Sequence, residues 1–328
     1  MNIQKQEISD EQRLQDGRQG VQDVHTENVM ERVTENYAST RLQRWRIFPN
    51  VLDFIFMLIW FSLSQLFAVM ICGAFGLTLY DPSQLTGMEE PEILLSVQQY
   101  TAKSVGIIYS ASMLLAIGGI LVYRRLRGCR TRAARFSIAG FKPALILGGF
   151  IWMLAAEVVI EPLLLLMPDV PDTIGRGSFA IITTVMIAPL MEEFLCRGIV
   201  LESLRAKYGV IMAWIASSLF FALIHGHVTA GVNALVIGSI IGYIYLRSNS
   251  LFGAVILHAM NNMLAIATIS LGMGETTLSQ LIPDNYYRIT YLVAVAICTA
   301  GAVILAINLR KLRRKELEKA KNHAEQMQ

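Results

Sequence analysis

The chain has 328 residues, of which 54% are hydrophobic and only 16% charged, with a net charge of +3. Soluble globular proteins average about 25% charged residues, so a water-soluble fold could not cover this much apolar surface. The basic residues lie beside apolar runs and form no patch with interleaved aromatic residues, so a nucleic-acid partner is not predicted. The composition instead predicts an all-α membrane protein that contacts the lipid bilayer.

Eight apolar runs of roughly 17 to 25 residues follow a polar first segment, and each is long enough to cross a bilayer as a helix. They lie at 51–77, 105–123, 144–167, 179–203, 210–225, 230–246, 251–271 and 291–309. These runs predict a polytopic helical bundle of about eight transmembrane helices in the cell membrane. No internal repeat is visible in the sequence, which argues against a secondary transporter.

Lys and Arg residues cluster in every second connector, which is the pattern of connectors that stay on the cytoplasmic side. The clusters lie at 41–46, 124–142, 205–207, 247 and 310–315. Both termini are therefore predicted to be cytoplasmic, because a missed or extra helix would place one of the clusters on the opposite side.

The same pattern divides the chain into four predicted parts. A polar cytoplasmic tail occupies 1–46, and 47–142 contains the first two transmembrane helices with a basic cytoplasmic loop. Residues 143–310 form a six-helix membrane core, and 311–328 form a basic cytoplasmic tail.

Three of the predicted helices carry polar side chains that are costly to bury in lipid. An ionisable side chain at the bilayer centre costs at least about 2.5 to 3.5 kcal/mol, so each requires a partner or a water-filled cavity. The residues are Glu192, Glu193 and Arg197 on the fourth helix, His225 at the end of the fifth, and His258 and Asn262 on the seventh. Counted at 1.5 Å per residue from the connectors, the three sets lie within about one helical turn in depth. We therefore expect them to meet.

Spacing separates the roles of these residues on each helix. Glu193 and Arg197 are four residues apart and share one helix face, so they can form an ion pair. Glu192 points about 100° away around the same helix and is free to face another neighbour. His258 and Asn262 are also four apart and can present an imidazole and an amide to a common point.

This combination of groups suits hydrolysis of an amide bond. A free carboxylate beside an imidazole can take a proton from water. A second imidazole with an amide can stabilise an oxyanion by hydrogen bonds, or bind a metal ion through the imidazole. His225 and His258 are the candidate metal ligands, and the pattern leaves open whether the site holds zinc or no metal.

Three short motifs occur in order on successive hydrophobic helices. They are Glu192-Glu193-x-x-x-Arg197, Phe221-x-x-x-His225 and His258-x-x-x-Asn262. In this order they resemble the motifs of the CAAX protease and bacteriocin-processing family, which is often called Abi-type and is similar to the type II CAAX prenyl endopeptidases. The resemblance covers residues 179–266.

The resemblance implies an intramembrane endopeptidase that hydrolyses a peptide bond in a membrane-associated protein or peptide substrate. It also implies a role for each motif residue. Glu192 would be the water-activating base with His225 assisting it, Glu193 and Arg197 would hold the site together, and His258 with Asn262 would steady the oxyanion or a metal.

Simpler interpretations exist for each feature taken alone. Glu193 with Arg197 could be a structural ion pair, His225 an imidazole bonded to backbone at a helix end, and the third motif a contact between helices. Phe221 is most simply a packing residue. Glu157 and Glu161 on the third helix are expected to face the outer interface, and Gly231, Gly238 and Gly242 are expected to allow close helix packing.

Two functional alternatives also remain at this point. The first is a non-catalytic membrane partner of a sensor kinase, a bacteriocin or an envelope factor. The second is a proton or metal transporter that uses the same carboxylates, which the absence of repeats makes less favourable.

Overall fold

The structure is a computed structural model in which residues 48–77, 89–129, 131–134, 136, 138, 140–168, 176–273 and 276–326 are described. Contacts divide the chain after Asn50, and every helix described below belongs to the unit Val51–Gln328. The predicted tail at 1–46 and its basic cluster at 41–46 lie outside the described residues. Within the described ranges the regular structure is entirely helical, as predicted.

Seven helical segments of the described chain are long and apolar enough to cross a membrane. One of them, Ser178–Leu223, has 46 residues and is interrupted at Gly209, where φ is 79° and ψ is 174°. That backbone conformation is open essentially only to glycine, so Gly209 separates two helices. The described part of the protein is therefore a multi-pass membrane protein with eight long helices, which confirms the predicted count.

In chain order the long helices are α1 (Val51–Ala74), α2 (Glu90–Leu126), α3 (Pro143–Leu164), α4 (178–208), α5 (210–223), α6 (Val228–Ser248), α7 (Leu251–Ser270) and α8 (Asp284–Glu325).

Two helices are much longer than the apolar runs that predicted them. The run at 105–123 became α2, which starts at Glu90, and the run at 291–309 became α8, which continues to Glu325. The residues added to α8 are mostly charged, whereas those added to α2 are a mixture of apolar, polar and charged residues. Glu, Lys, Arg, Gln and Leu are all good helix formers. Apolar windows therefore located the membrane-crossing parts correctly but gave the wrong ends for these helices.

The helices differ strongly in how much of each is buried by the others. Over its apolar window, α6 is 56% buried, whereas α1 is 22% and α8 only 11% buried. The central helix α6 packs against α3, α5 and α7, while α1 packs mainly against α2. The helix α4 contacts α2, α5 and α7, and the predicted site residues lie on or next to α4, α5 and α7.

A polar clasp, the hydrogen-bonded group of Asp53, Tyr123 and Arg127, joins α1 to the end of α2. Tyr123 donates a hydrogen bond of 2.6 Å to Asp53, and Arg127 donates one of 2.9 Å to the same carboxylate oxygen. The hydrogen bond to Asp53 raises the pKa of the Arg127 guanidinium above its ordinary value. The clasp fixes α1 against α2 and so holds the helix pair that forms one wall of the cavity described below.

Candidate active site

The two glutamates of the first motif lie in a short α-helical segment of α4 between two π-helical segments, and Arg197 lies in the second of these. Residues Ala188–Glu193 are α-helical, while Ile182–Ile187 before them and Phe194–Leu201 after them are π-helical. Such wide turns are rare and occur frequently at functional sites. They also change which backbone groups pair with each other, because a π-turn bonds residues five apart.

Three carbonyl groups of the π-helical segments accept hydrogen bonds from outside α4. The pairs are the Asn262 amide with Thr184 at 2.9 Å, the Ser217 hydroxyl with Cys196 at 2.8 Å, and the Ala134 backbone N–H with Gly198 at 2.9 Å. Each such bond contributes about 0.5 to 1.5 kcal/mol. Together they fasten α4 to α7, to α5 and to the loop that precedes α3.

Glu193 is at the centre of a buried polar network. Its side chain and that of Arg197 are fully buried, and Arg197 Nη1 lies 3.1 Å from Glu193 Oε1. His258 Nδ1 donates to the same carboxylate oxygen at 2.9 Å. The other guanidinium nitrogen, Nη2, donates to the Gly238 carbonyl at 2.6 Å. The carboxylate thus links a cation on its own helix with an imidazole on α7.

Gly238 allows α6 to approach this network closely. A Cβ atom at this position would lie 2.6 Å from the Phe221 ring and 3.3 Å from Arg197 Nη2. This contact confirms the close packing predicted for Gly238. Phe221 does more than fill space, because its ring lies 4.6 Å from the Arg197 guanidinium and edge-on to both His225 and His258.

Glu192 faces a different set of neighbours, as its position on the helix predicts. Tyr109 of α2 donates a hydrogen bond of 2.5 Å to Glu192 Oε1. The other oxygen, Oε2, lies 3.9 Å from His258 Nε2. The Glu192 side chain is 13% exposed, whereas that of Glu193 is completely buried. One carboxylate is therefore enclosed by protein and the other reaches an open space.

His225 lies just beyond the end of α5. The predicted helix included residue 225, but the observed helix ends at Leu223 and His225 is in the following turn. Its Nδ1 donates 2.7 Å to the Phe221 carbonyl, which leaves Nε2 as an acceptor in the neutral ring. The residue is exposed, and its ring is hydrogen-bonded to the backbone at the end of a helix. This geometry is that of the simpler interpretation given for His225 above.

A cavity of about 860 Å³ connects the predicted residues. Four of the six line it, and they come from two separate helices, α4 and α7, and from the turn after α5. These four are Glu192, His225, His258 and Asn262. Glu193 and Arg197 are not among the lining residues, which agrees with their complete burial. The rest of the wall is largely apolar and includes residues of α1 and α2.

Sequence reasoning missed three groups that contact the predicted residues. Tyr109 carries a hydroxyl in an apolar run, and that polar atom was a usable signal. The other two are the carbonyls of Thr184 and Gly238, and no side-chain pattern reports a carbonyl. Glu161, which was expected to face the outer interface, does not line the cavity, and its carboxylate accepts from the backbone N–H of Leu278 at 2.5 Å.

His225 and His258 are the candidate metal ligands that the sequence suggested. Among the residues that the structure describes, no group of three or more His, Cys, Asp or Glu side chains is arranged to hold a metal ion. His258 Nδ1 is bonded to Glu193 and His225 Nδ1 to a carbonyl, contacts that histidines make at Nδ1 both with and without a metal at Nε2. Metal binding by these two histidines stays a prediction.

Comparisons with known proteins give one result beyond the geometry. Neither the curated proteins nor the solved structures contain a match to this chain. Residues 175–264, the segment that holds the three motifs, match the family model described as Type II CAAX prenyl endopeptidase Rce1-like, which agrees with the resemblance seen in the motifs.

Proposed function

We propose that the protein is an intramembrane endopeptidase of the cell membrane that hydrolyses a peptide bond in a membrane-associated protein or peptide. The observation that carries this proposal is the single cavity whose wall contains Glu192, His225, His258 and Asn262. A water-accessible space with these groups supplies what amide hydrolysis requires within an apolar bundle, namely a base for water and donors for an oxyanion.

Glu192 is the proposed base. Its Oε2 accepts a proton from the attacking water while Oε1 stays bonded to Tyr109. His225 has an Nε2 acceptor in its neutral form and lines the same cavity, so it can accept a hydrogen bond from that water. After attack, the proton held by Glu192 passes to the amine that leaves, which returns the carboxylate to its starting form.

Asn262 and His258 are the proposed oxyanion donors. One amide hydrogen of Asn262 is bonded to the Thr184 carbonyl at 2.9 Å, and the second is available to the substrate. His258 has its Nδ1 bonded to Glu193, so its Nε2 can donate when the ring is protonated. Removing one oxyanion donor typically costs about 100- to 1000-fold in kcat.

Glu193 and Arg197 are proposed to hold this arrangement in place without touching the substrate. Glu193 orients His258 through Nδ1, and Arg197 neutralises Glu193 at 3.1 Å. A fully buried carboxylate without a cation would be strongly unfavourable. The ion pair with Arg197 therefore allows a charged Glu193 to lie next to the His258 imidazole.

The test begins with the substrate, which comparative proteomics can identify. Membranes that contain the parent protein and membranes that contain Glu192→Gln are compared for products that require the carboxylate. Cleavage of a confirmed substrate is then measured with purified protein in liposomes. We expect Glu192→Gln and His225→Ala to lower kcat by about 100- to 10,000-fold, the range for loss of a general base.

Glu202→Gln is the matched control. Glu202 is another carboxylate on the same helical run, and it accepts a hydrogen bond of 2.8 Å from Tyr245 outside the cavity. This variant should cleave like the parent. If Glu192→Gln and His225→Ala cleave the substrate as fast as the parent, the proposal fails. Full rescue of a deletion phenotype by these variants would instead favour the non-catalytic partner.

A further inference from the structure

The hydrogen bond between Tyr109 and Glu192 joins two regions that the family match separates. Tyr109 lies on α2, whereas the matched residues begin at 175. The two residues are 83 positions apart in the chain, yet the hydroxyl lies 2.5 Å from Glu192 Oε1. A helix outside the matched domain therefore contributes a direct contact to the proposed base.

The packing of α2 on α4 sets this contact. Gly106, one turn before Tyr109, faces Thr183, and a Cβ atom at Gly106 would collide with the Thr183 hydroxyl. The glycine thus lets the two helices approach closely at this level. Gly106, Tyr109 and Thr183 all line the cavity, so the contact lies at the site itself and not behind it.

The hydrogen bond limits how Glu192 can move. A glutamate side chain has three rotatable bonds, and ordering such a side chain costs up to about 2 kcal/mol of conformational free energy. His258 Nε2 is 3.9 Å from Oε2, which is too long for a hydrogen bond. Among the described residues Tyr109 is therefore the side chain that holds Glu192 in one orientation.

We propose that Tyr109 is a positioning residue that fixes Oε1 of Glu192, so that Oε2 points into the cavity toward the attacking water. This inference rests on the proposed function. Correct placement of a reacting group is a large part of catalysis, and a displacement of about 1 Å can cost about 100-fold in rate. The role predicts an effect on kcat, since Tyr109 acts through Glu192 and not on the substrate.

The test is Tyr109→Phe, with Tyr245→Phe as its matched control. Tyr245 also donates to a glutamate of the same helical run, Glu202, at 2.8 Å, but outside the cavity. Both substitutions remove one hydroxyl from one carboxylate. We expect kcat of Tyr109→Phe to fall about 10- to 100-fold with KM unchanged, and Tyr245→Phe to match the parent.

Three results would overturn the inference. They are unchanged kcat in Tyr109→Phe, a change confined to KM, and an equal loss of kcat in both variants. The first two results are compared with the activity of Glu192→Gln. If that variant is inactive while Tyr109→Phe is fully active, the positioning role fails and the proposed function stands. If Glu192→Gln cleaves like the parent, the proposed function itself fails.

A second measurement does not require proteolysis. The infrared carboxyl band of Glu192 can be assigned from the difference between the parent and Glu192→Gln in liposomes. Loss of the Tyr109 hydrogen bond should shift this band, whereas Tyr245→Phe should leave it unchanged. An unshifted Glu192 band in Tyr109→Phe would overturn the inference even if no substrate is found.

Discussion

Arg197→Met tests whether the buried network around Glu193 stabilises the bundle through charge compensation. The substitution keeps a long apolar side chain in the same space but removes the 3.1 Å ion pair and the 2.6 Å bond to the Gly238 carbonyl. Glu193 then stays buried at 0% exposure without its cation. Breaking one partner of a buried pair costs about 3 to 5 kcal/mol, so we expect the free energy of unfolding to fall by that amount.

A second substitution separates charge from packing. In the double variant with Glu193→Gln the buried charge is gone, and the Gln carbonyl can still accept from His258 Nδ1. What remains is the Gly238 carbonyl without its donor, which costs about 1 to 3 kcal/mol. The double variant should therefore be more stable than Arg197→Met alone, although it differs from the parent at two buried positions.

The measurement is unfolding by a denaturing detergent in mixed micelles, followed by tryptophan fluorescence. Arg205→Met is the matched control, because Arg205 also contacts a carboxylate, Glu316 at 2.7 Å, but its side chain is 25% exposed. Its loss should cost under about 1 kcal/mol. Equal destabilisation by Arg197→Met and Arg205→Met, or a double variant as unstable as Arg197→Met, would refute the reasoning.

Three further predictions use the same unfolding and cleavage measurements. Gly238→Ala places a Cβ atom 2.6 Å from the Phe221 ring and should cost about 1 to 3 kcal/mol, whereas Gly118→Ala on α2 meets no atom within 4 Å and should not destabilise the protein. Gly209→Ala should cost about 1 to 3 kcal/mol because φ there is 79°, and a loss below that range would contradict the assigned backbone conformation. Asn262→Ala should lower kcat by about 100-fold or more with little change in KM, and full activity would remove this residue from the oxyanion site.

The sequence predicted the membrane-crossing elements well because lipid imposes a simple rule on composition. Each apolar run had to become a helix, and even the division at Gly209 followed from the charged connector at 205–207. The ends of α2 and α8 were wrong because polar and charged helix formers continue a helix past the apolar run that signals it. The cytoplasmic placement of both termini stays a prediction.

The site was predictable where a charged side chain in an apolar helix required an oppositely charged partner. Glu193 and Arg197 needed each other at their depth, and the structure pairs them at 3.1 Å. Tyr109 was missed because its hydroxyl signals that a partner exists without naming it, and only the packing of α2 on α4 brings that partner, Glu192, within reach. The π-helical segments were missed because a constant helical period contains no information about local widening.

The two π-helical segments of α4 have a practical consequence for anyone who engineers this protein. Each wide turn acts like one extra residue in the helix, and one residue corresponds to about 100° of rotation. A helical wheel with a constant step, drawn from Ser178 onward, therefore loses phase after Ile182–Ile187 and again after Phe194–Leu201. Labels, crosslinks or cysteine scans designed from such a wheel would report on the wrong face of the helix.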